Sequence, residues 1–280
     1  LMRSSAASDV YKRQYLLWSA VYISLSFAVN VLLNGENAGE AVLGYVKNFF
    51  FVGSYWHLWY MVGLIYALCL TALFYKIAKE RGLQILLGIS IVFFVFGALC
   101  YAYTPLMERI TWLRPYLDAS WFSSFSEILC LGIPCFIWGY AVVLFQQKNA
   151  MNPKRDGRLL ILSLILYTVE FWSIVGLTGN THIRSLLSTY FVTFFLMLVL
   201  LEHPASTWEK QGLLCKDYST YLYLAHPLFI AILSAGQDMI GIQQPAALYV
   251  LEVLAFTLFS RVVLQWCRQF RVRRRGTNEK

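Results

Sequence analysis

The stretch Tyr55-Trp56-His57-Leu58-Trp59-Tyr60-Met61 opens an apolar run that continues to residue 74. The length of that run decides the fold class, because an α-helix needs about twenty mainly apolar residues to cross the hydrocarbon core of a bilayer. Seven other runs match residues 56–74 in character: 15–33, 83–103, 121–145, 159–177, 185–201, 218–235 and 247–266. None has the strict alternation of barrel strands, and only helices or closed barrels satisfy their backbone in lipid. The expectation is an all-α, polytopic transmembrane bundle of about eight spans.

Composition agrees. The 280 residues are 59% hydrophobic, 17% aromatic and only 14% charged, with a mean hydropathy of +0.57. A soluble domain carries roughly a quarter charged residues. The net charge of +8 does not indicate nucleic-acid binding. The basic residues sit in short loops and in the tail 268–275, as expected beside an anionic leaflet.

Lys76, Lys79 and Arg81 follow the second run; Lys148, Lys154, Arg155 and Arg158 follow the fourth; Lys210 and Lys216 follow the sixth. The alternate loops carry only Lys47, Arg109, Arg114 and Arg184. The positive-inside rule makes the richer set cytoplasmic and turns both termini inward. Residues 1–14 are polar, and Ser5-Ala6-Ala7-Ser8-Asp9-Val10-Tyr11-Lys12-Arg13-Gln14 reads as a non-native or disordered leader. That leaves 15–266 as the membrane domain and 267–280 as a basic cytoplasmic tail. Between the first two spans, Val42, Leu43, Val46, Phe49 and Phe50 recur near helical spacing, which predicts an amphipathic helix on the outer interface over 39–53. Residues 105–116, with Trp112, are read the same way.

Ionisable groups inside a membrane are costly and point to function. His57 stands among aromatics at an outer helix mouth, with Tyr60 and Met61 expected on its face at i+3 and i+4. It is read as an acid/base or hydrogen-bonding group at a substrate entrance, or as one member of an interfacial belt with Trp56, Trp59 and Tyr60. His226 lies in Tyr221-Leu222-Tyr223-Leu224-Ala225-His226-Pro227, where Pro227 removes a helical hydrogen bond beside the imidazole. Ser219 and Tyr223 share its side; a bond that merely joins two helices is the competing reading. Glu170, flanked by Tyr167 and Ser173, stands in mid-span and can orient an imidazole. Glu127 near an outer end, Glu252, Arg184 and Arg261 complete the polar set. The six cysteines show no metal-binding or CxxC spacing, so no metal is expected.

These features resemble the integral-membrane acyltransferase 3 proteins, which O-acylate cell-envelope glycans. The resemblance rests on Tyr15-Leu16-Leu17-Trp18, on Ser54-Tyr55-Trp56-His57-Leu58-Trp59-Tyr60 and on Ser219-Thr220-Tyr221-Leu222-Tyr223-Leu224-Ala225-His226-Pro227, and runs from Tyr15 to Trp266. It implies a bundle of about ten helices in a bacterial inner membrane. It also implies a non-aminoacyl acyltransferase that takes an acyl group, acetyl first among candidates, from acyl-CoA. The acceptor is a hydroxyl of a glycan or lipid-linked saccharide.

The family's Arg-bearing helix ending in the principal histidine has no counterpart here, nor has its Phe-Phe-Ser-Gly-type motif. The chain is therefore expected to be an inactive fragment lacking the first helix pair. His57, His226 and Glu170 are then supporting catalytic candidates, with Trp56, Trp59, Tyr60, Tyr221, Tyr223, Glu127 and Arg184 as substrate-binding ones. The alternative is a glycan or small-solute exporter that uses Glu170 or His226 as a proton relay.

Overall fold

The computed structural model describes residues 2–107, 126–148, 152–179, 183, 185–202, 209–241 and 244–277, with 2–11, 105–106, 209–211, 213 and 268–277 as backbone alone. The described residues are helical without strands. They fall into two compact units, 1–204 and 205–280.

In the first unit, α1 (Met2–Phe27) continues as a π-helical turn over Ala28–Leu33. The widened turn presents Asn30, whose Nδ2 donates to the Tyr45 hydroxyl 3.2 Å away on α2 (Ala38–Phe51). Asn37 caps α2, its Oδ1 accepting from the Gly39 and Glu40 amides at 2.8 and 3.4 Å, and Glu40 supplies the negative charge favoured in a first turn. The helix expected over 39–53 is thus present, slightly shorter. Val42, Val46, Phe49 and Phe50 turn toward α1 across an apolar cleft, while Leu43 is 72% exposed.

The segment α3 (Trp59–Tyr101) is 43 residues long but is not one rod. Ala78 and Lys79 leave helical geometry, Lys79 at φ 50°. Gly63 in one arm and Gly97 in the other both pack on the same short turn, against Gly132 and Cys130. In a straight helix they would be about 50 Å apart, so α3 is an antiparallel hairpin of two spans. Its bend needs Gly82, where a Cβ would fall 2.1 Å from the Phe74 carbonyl oxygen. A methyl at Gly63 would lie 3.3 Å from the Gly132 Cα. Such small-on-small contact is how helices approach closely in lipid.

The short α4 (Thr104–Met107) follows. Most of 105–116, Trp112 and Arg114 included, lies outside the described residues. A second π-helical turn, Ile128–Gly132, leads into α5 (Ile133–Lys148). Pro134 offers no N–H to the preceding turn, a standard cause of such a deformation. Asn152 caps α6 (Pro153–Thr178), with Pro153 in its first turn and Gly179 in the left-handed conformation at its end. α7 (Ser188–Glu202) packs back along α6. Ala102, Ile174 and Leu186 form one buried cluster, and Phe94, Ala98 and Tyr190 another.

The second unit is a helical hairpin of α8 (Glu209–Ile240) and α9 (Ala246–Thr277). Tyr249 donates to the Ile230 carbonyl at 2.9 Å, Tyr221 and Ser260 share a hydroxyl bond of 2.9 Å, and Tyr218 donates to Gln265 at 3.2 Å. The partners step apart regularly from the turn at Gly241, which fixes an antiparallel register.

Among the described residues six helical stretches are long and apolar enough to cross a membrane. One of them is the α3 hairpin, which holds two of the runs read from sequence, and α7 accounts for another. Each of the eight runs is thus represented by a helix among the described residues. At 15 residues α7 spans only about 22 Å. The outer surface of α6 shows Ile161, Leu162, Val169, Trp172 and Leu177, each more than half exposed. In water such a surface would be opposed by roughly 25 cal/mol per Å²; in hydrocarbon it costs nothing. The architecture is an all-α polytopic membrane bundle.

Candidate functional site

Tyr15, Ser19 and Tyr22 lie at i, i+4 and i+7 on α1 and are all buried. This face packs on the loop 53–58, which precedes α3. Gly53 permits the loop to fold: its φ is +103°, and a Cβ there would stand 2.7 Å from the Leu58 carbonyl carbon and the Trp59 nitrogen. The Ser54 hydroxyl bonds that of Ser19 at 2.7 Å, with both groups buried. Tyr15 donates to the Phe49 carbonyl, which ties α2 into the same assembly.

His57 sits inside this assembly, 4% exposed. Its ring meets Tyr22, Trp56 and Tyr55 edge to face, with centroids 5.0, 5.5 and 5.7 Å away. Tyr22 and Tyr55 stack on each other at 4.4 Å. Such contacts are worth about 0.5–1.5 kcal/mol each beyond burial, so the orientation of the imidazole is firmly set.

One sequence expectation is corrected here. The helix begins at Trp59, so His57 belongs to the turn before it, and the i+3/i+4 relation to Tyr60 and Met61 does not apply. Instead Trp56 and Tyr60 are 62% and 43% exposed while His57 and Leu58 point inward. The two readings of this patch thus divide by residue. Trp56 and Tyr60 suit an interfacial belt; His57 is the enclosed group. Trp59 covers the π-helical turn, near Gly132.

His226 is half-buried in α8, its Nδ1 2.9 Å from the Leu222 carbonyl. A carbonyl only accepts, so Nδ1 carries the proton and neutral His226 presents Nε2 as the acceptor. Pro227 offers no N–H to the Tyr223 carbonyl one turn back. Tyr221 bonds Ser260 and lies 5.3 Å under the Arg261 guanidinium, which also faces Asp217 at 3.7 Å. Arg261 and Tyr221 therefore join α8 to α9.

Glu170 accepts from the Tyr103 hydroxyl at 2.6 Å and from the Leu187 and Ser188 amides, both at 2.8 Å. These partners are a phenol and the amides at the entry to α7. The carboxylate works as a helix cap and satisfies donors that a helix start leaves open. Glu127 is half-buried just before the second π-helical turn. Arg184 lies outside the described residues.

Sequence reading missed Tyr22 and Tyr55 as ring neighbours of His57, and the Ser19–Ser54 bond that joins α1 to the same loop. The signal was present in the i, i+4, i+7 spacing of hydroxyl-bearing residues on an otherwise apolar span.

The acyltransferase-domain family, acyltransferase 3, matches residues 9–266. No curated protein and no solved structure matches the chain. The match covers nearly the whole chain, and the helical bundle is of the integral-membrane kind. The chain belongs to the acyltransferase 3 family and is a membrane acyltransferase in general class.

Proposed function

We propose that the protein acts in O-acyl transfer from acyl-CoA, acetyl-CoA in the first instance, to a hydroxyl of a cell-envelope glycan or lipid-linked saccharide, in a bacterial inner membrane. The observation that carries this reading is the enclosed imidazole of His57, held by three aromatic rings at the head of a membrane span. A sugar hydroxyl must lose its proton as it attacks the acyl carbonyl, and imidazole is the side chain suited to accept it near neutral pH. His226 is a second imidazole with its Nε2 set as acceptor.

Both are assigned supporting roles: orienting the acceptor or relaying its proton. Trp59, Tyr60 and Tyr223 are the candidate donors to the developing oxyanion. Trp56, Tyr221, Glu127 and Arg184 are kept as candidates for binding the acceptor, although Tyr221 already serves the α8–α9 contact.

The test is transfer of labelled acetyl from acetyl-CoA to envelope glycan in membranes from cells expressing the protein. Covalent label on the glycan is expected to persist in detergent. Movement of unmodified glycan across the membrane without label would favour an exporter instead.

A further inference from the structure

Between the second arm of α3, α5 and α7 the first unit carries a groove of about 440 Å³. Its walls are Leu87, Trp138, Phe145, Phe191 and Phe194, and Lys148 stands in its lining at the end of α5. The walls are fixed. Trp138 Nε1 donates to the Tyr190 carbonyl at 3.2 Å, and the Phe194 ring lies 5.6 Å from Trp138 and 5.5 Å from Phe145. The volume falls within the range of small-molecule pockets.

Charge says what occupies it. Lys148 is exposed at the groove's end, and Lys154, Arg155 and Arg158 occupy the first turns of α6. Arg155 covers the Phe145 ring at 5.3 Å but is engaged by Asp156 at 2.7 Å. Among the described residues lining the groove, Lys148 is the cation. By the distribution of basic loops this end faces the cytoplasm, where the leaflet is anionic. A zwitterionic headgroup would bring its own ammonium toward Lys148, whereas an anionic one would be attracted. Basic pockets between spans on that side are where anionic headgroups bind.

We propose that the groove binds an anionic phospholipid, with one acyl chain along Trp138, Phe191 and Phe194 and the phosphate on Lys148. This assignment is independent of the transfer reaction.

The experiment is native mass spectrometry of the detergent-purified chain, titrated with phosphatidylglycerol or phosphatidylcholine of identical acyl chains. One cation at the headgroup level should give about a five-fold preference for phosphatidylglycerol. Lys148→Gln should bring the two lipids to parity with thermal melting unchanged. Ala141→Trp, which fills the groove without altering charge, should lower retention of both. Equal binding by the unaltered chain, or a preference that survives Lys148→Gln, would overturn the proposal. So would displacement of the bound phosphatidylglycerol by acyl-CoA, which would make the groove a donor site.

Discussion

The two histidine patches look alike in sequence, each an imidazole among tyrosines at or within an apolar run, yet the chain builds them differently. His57 stands in a loop and is oriented from outside: Tyr22 comes from α1, and Tyr55 and Trp56 come from the loop itself. His226 stands in a helix and is oriented from within, by the carbonyl one turn back. An imidazole held by neighbours depends on tertiary packing, and one held by its own helix does not. The first patch is therefore expected to be sensitive to changes in α1 and α2, the second chiefly to substitution of the ring itself.

The largest test of this contrast is His57→Phe, which keeps an aromatic ring in the niche and removes the proton acceptor. Acetyl transfer in membranes should fall by about 10²-fold, the low end of what a proton-transfer group contributes. A fully active variant would make His57 a packing residue.

The second test splits the two nitrogens of His226. His226→Asn retains a donor for the Leu222 carbonyl and loses Nε2, so transfer should drop about ten- to a hundred-fold while melting is preserved. That loss equals roughly 1.4–2.7 kcal/mol of barrier. Unchanged transfer by this variant would exclude Nε2 from the reaction.

Smaller effects sharpen the comparison with groups that serve structure. Glu170→Gln keeps one oxygen for the Leu187 amide and Tyr103 but turns its NH₂ toward the Ser188 amide, donor against donor. The expected loss is about 1–3 kcal/mol, read as a lower melting temperature in detergent; no shift would remove the capping role. Tyr221→Phe deletes the bond to Ser260 but keeps the ring beneath Arg261. It should cost only about 1 kcal/mol, and a large loss of transfer with melting intact would restore Tyr221 as a substrate contact.

Much of the fold was legible in the residues. Among the described residues each of the eight apolar runs carries a helix, and the amphipathic spacing of Val42 to Phe50 marked α2. Asn37, Asn152 and Pro153, helix-start signals that the sequence reading left unused, open α2 and α6. The site was less legible. His57 was visible as an oddity, but its expected neighbours Tyr60 and Met61 were wrong because the helix starts two residues later. Its actual walls include Tyr22, 35 positions back, a contact that no local window contains. Glu170 was visible as a costly mid-span carboxylate, but the donors that satisfy it lie on Tyr103 and at the start of α7.

The sequence by itself determined the solvent of this protein. Transfer of an apolar run into hydrocarbon is close to a sum over its residues, and a sum can be read without knowing the neighbours. Only the tertiary structure decided which imidazole is enclosed, that Trp59–Tyr101 doubles back, and that Glu170 caps a helix. Each of these depends on a pair of groups far apart in the chain meeting at a few ångströms, where sterics and hydrogen bonding act and composition is silent.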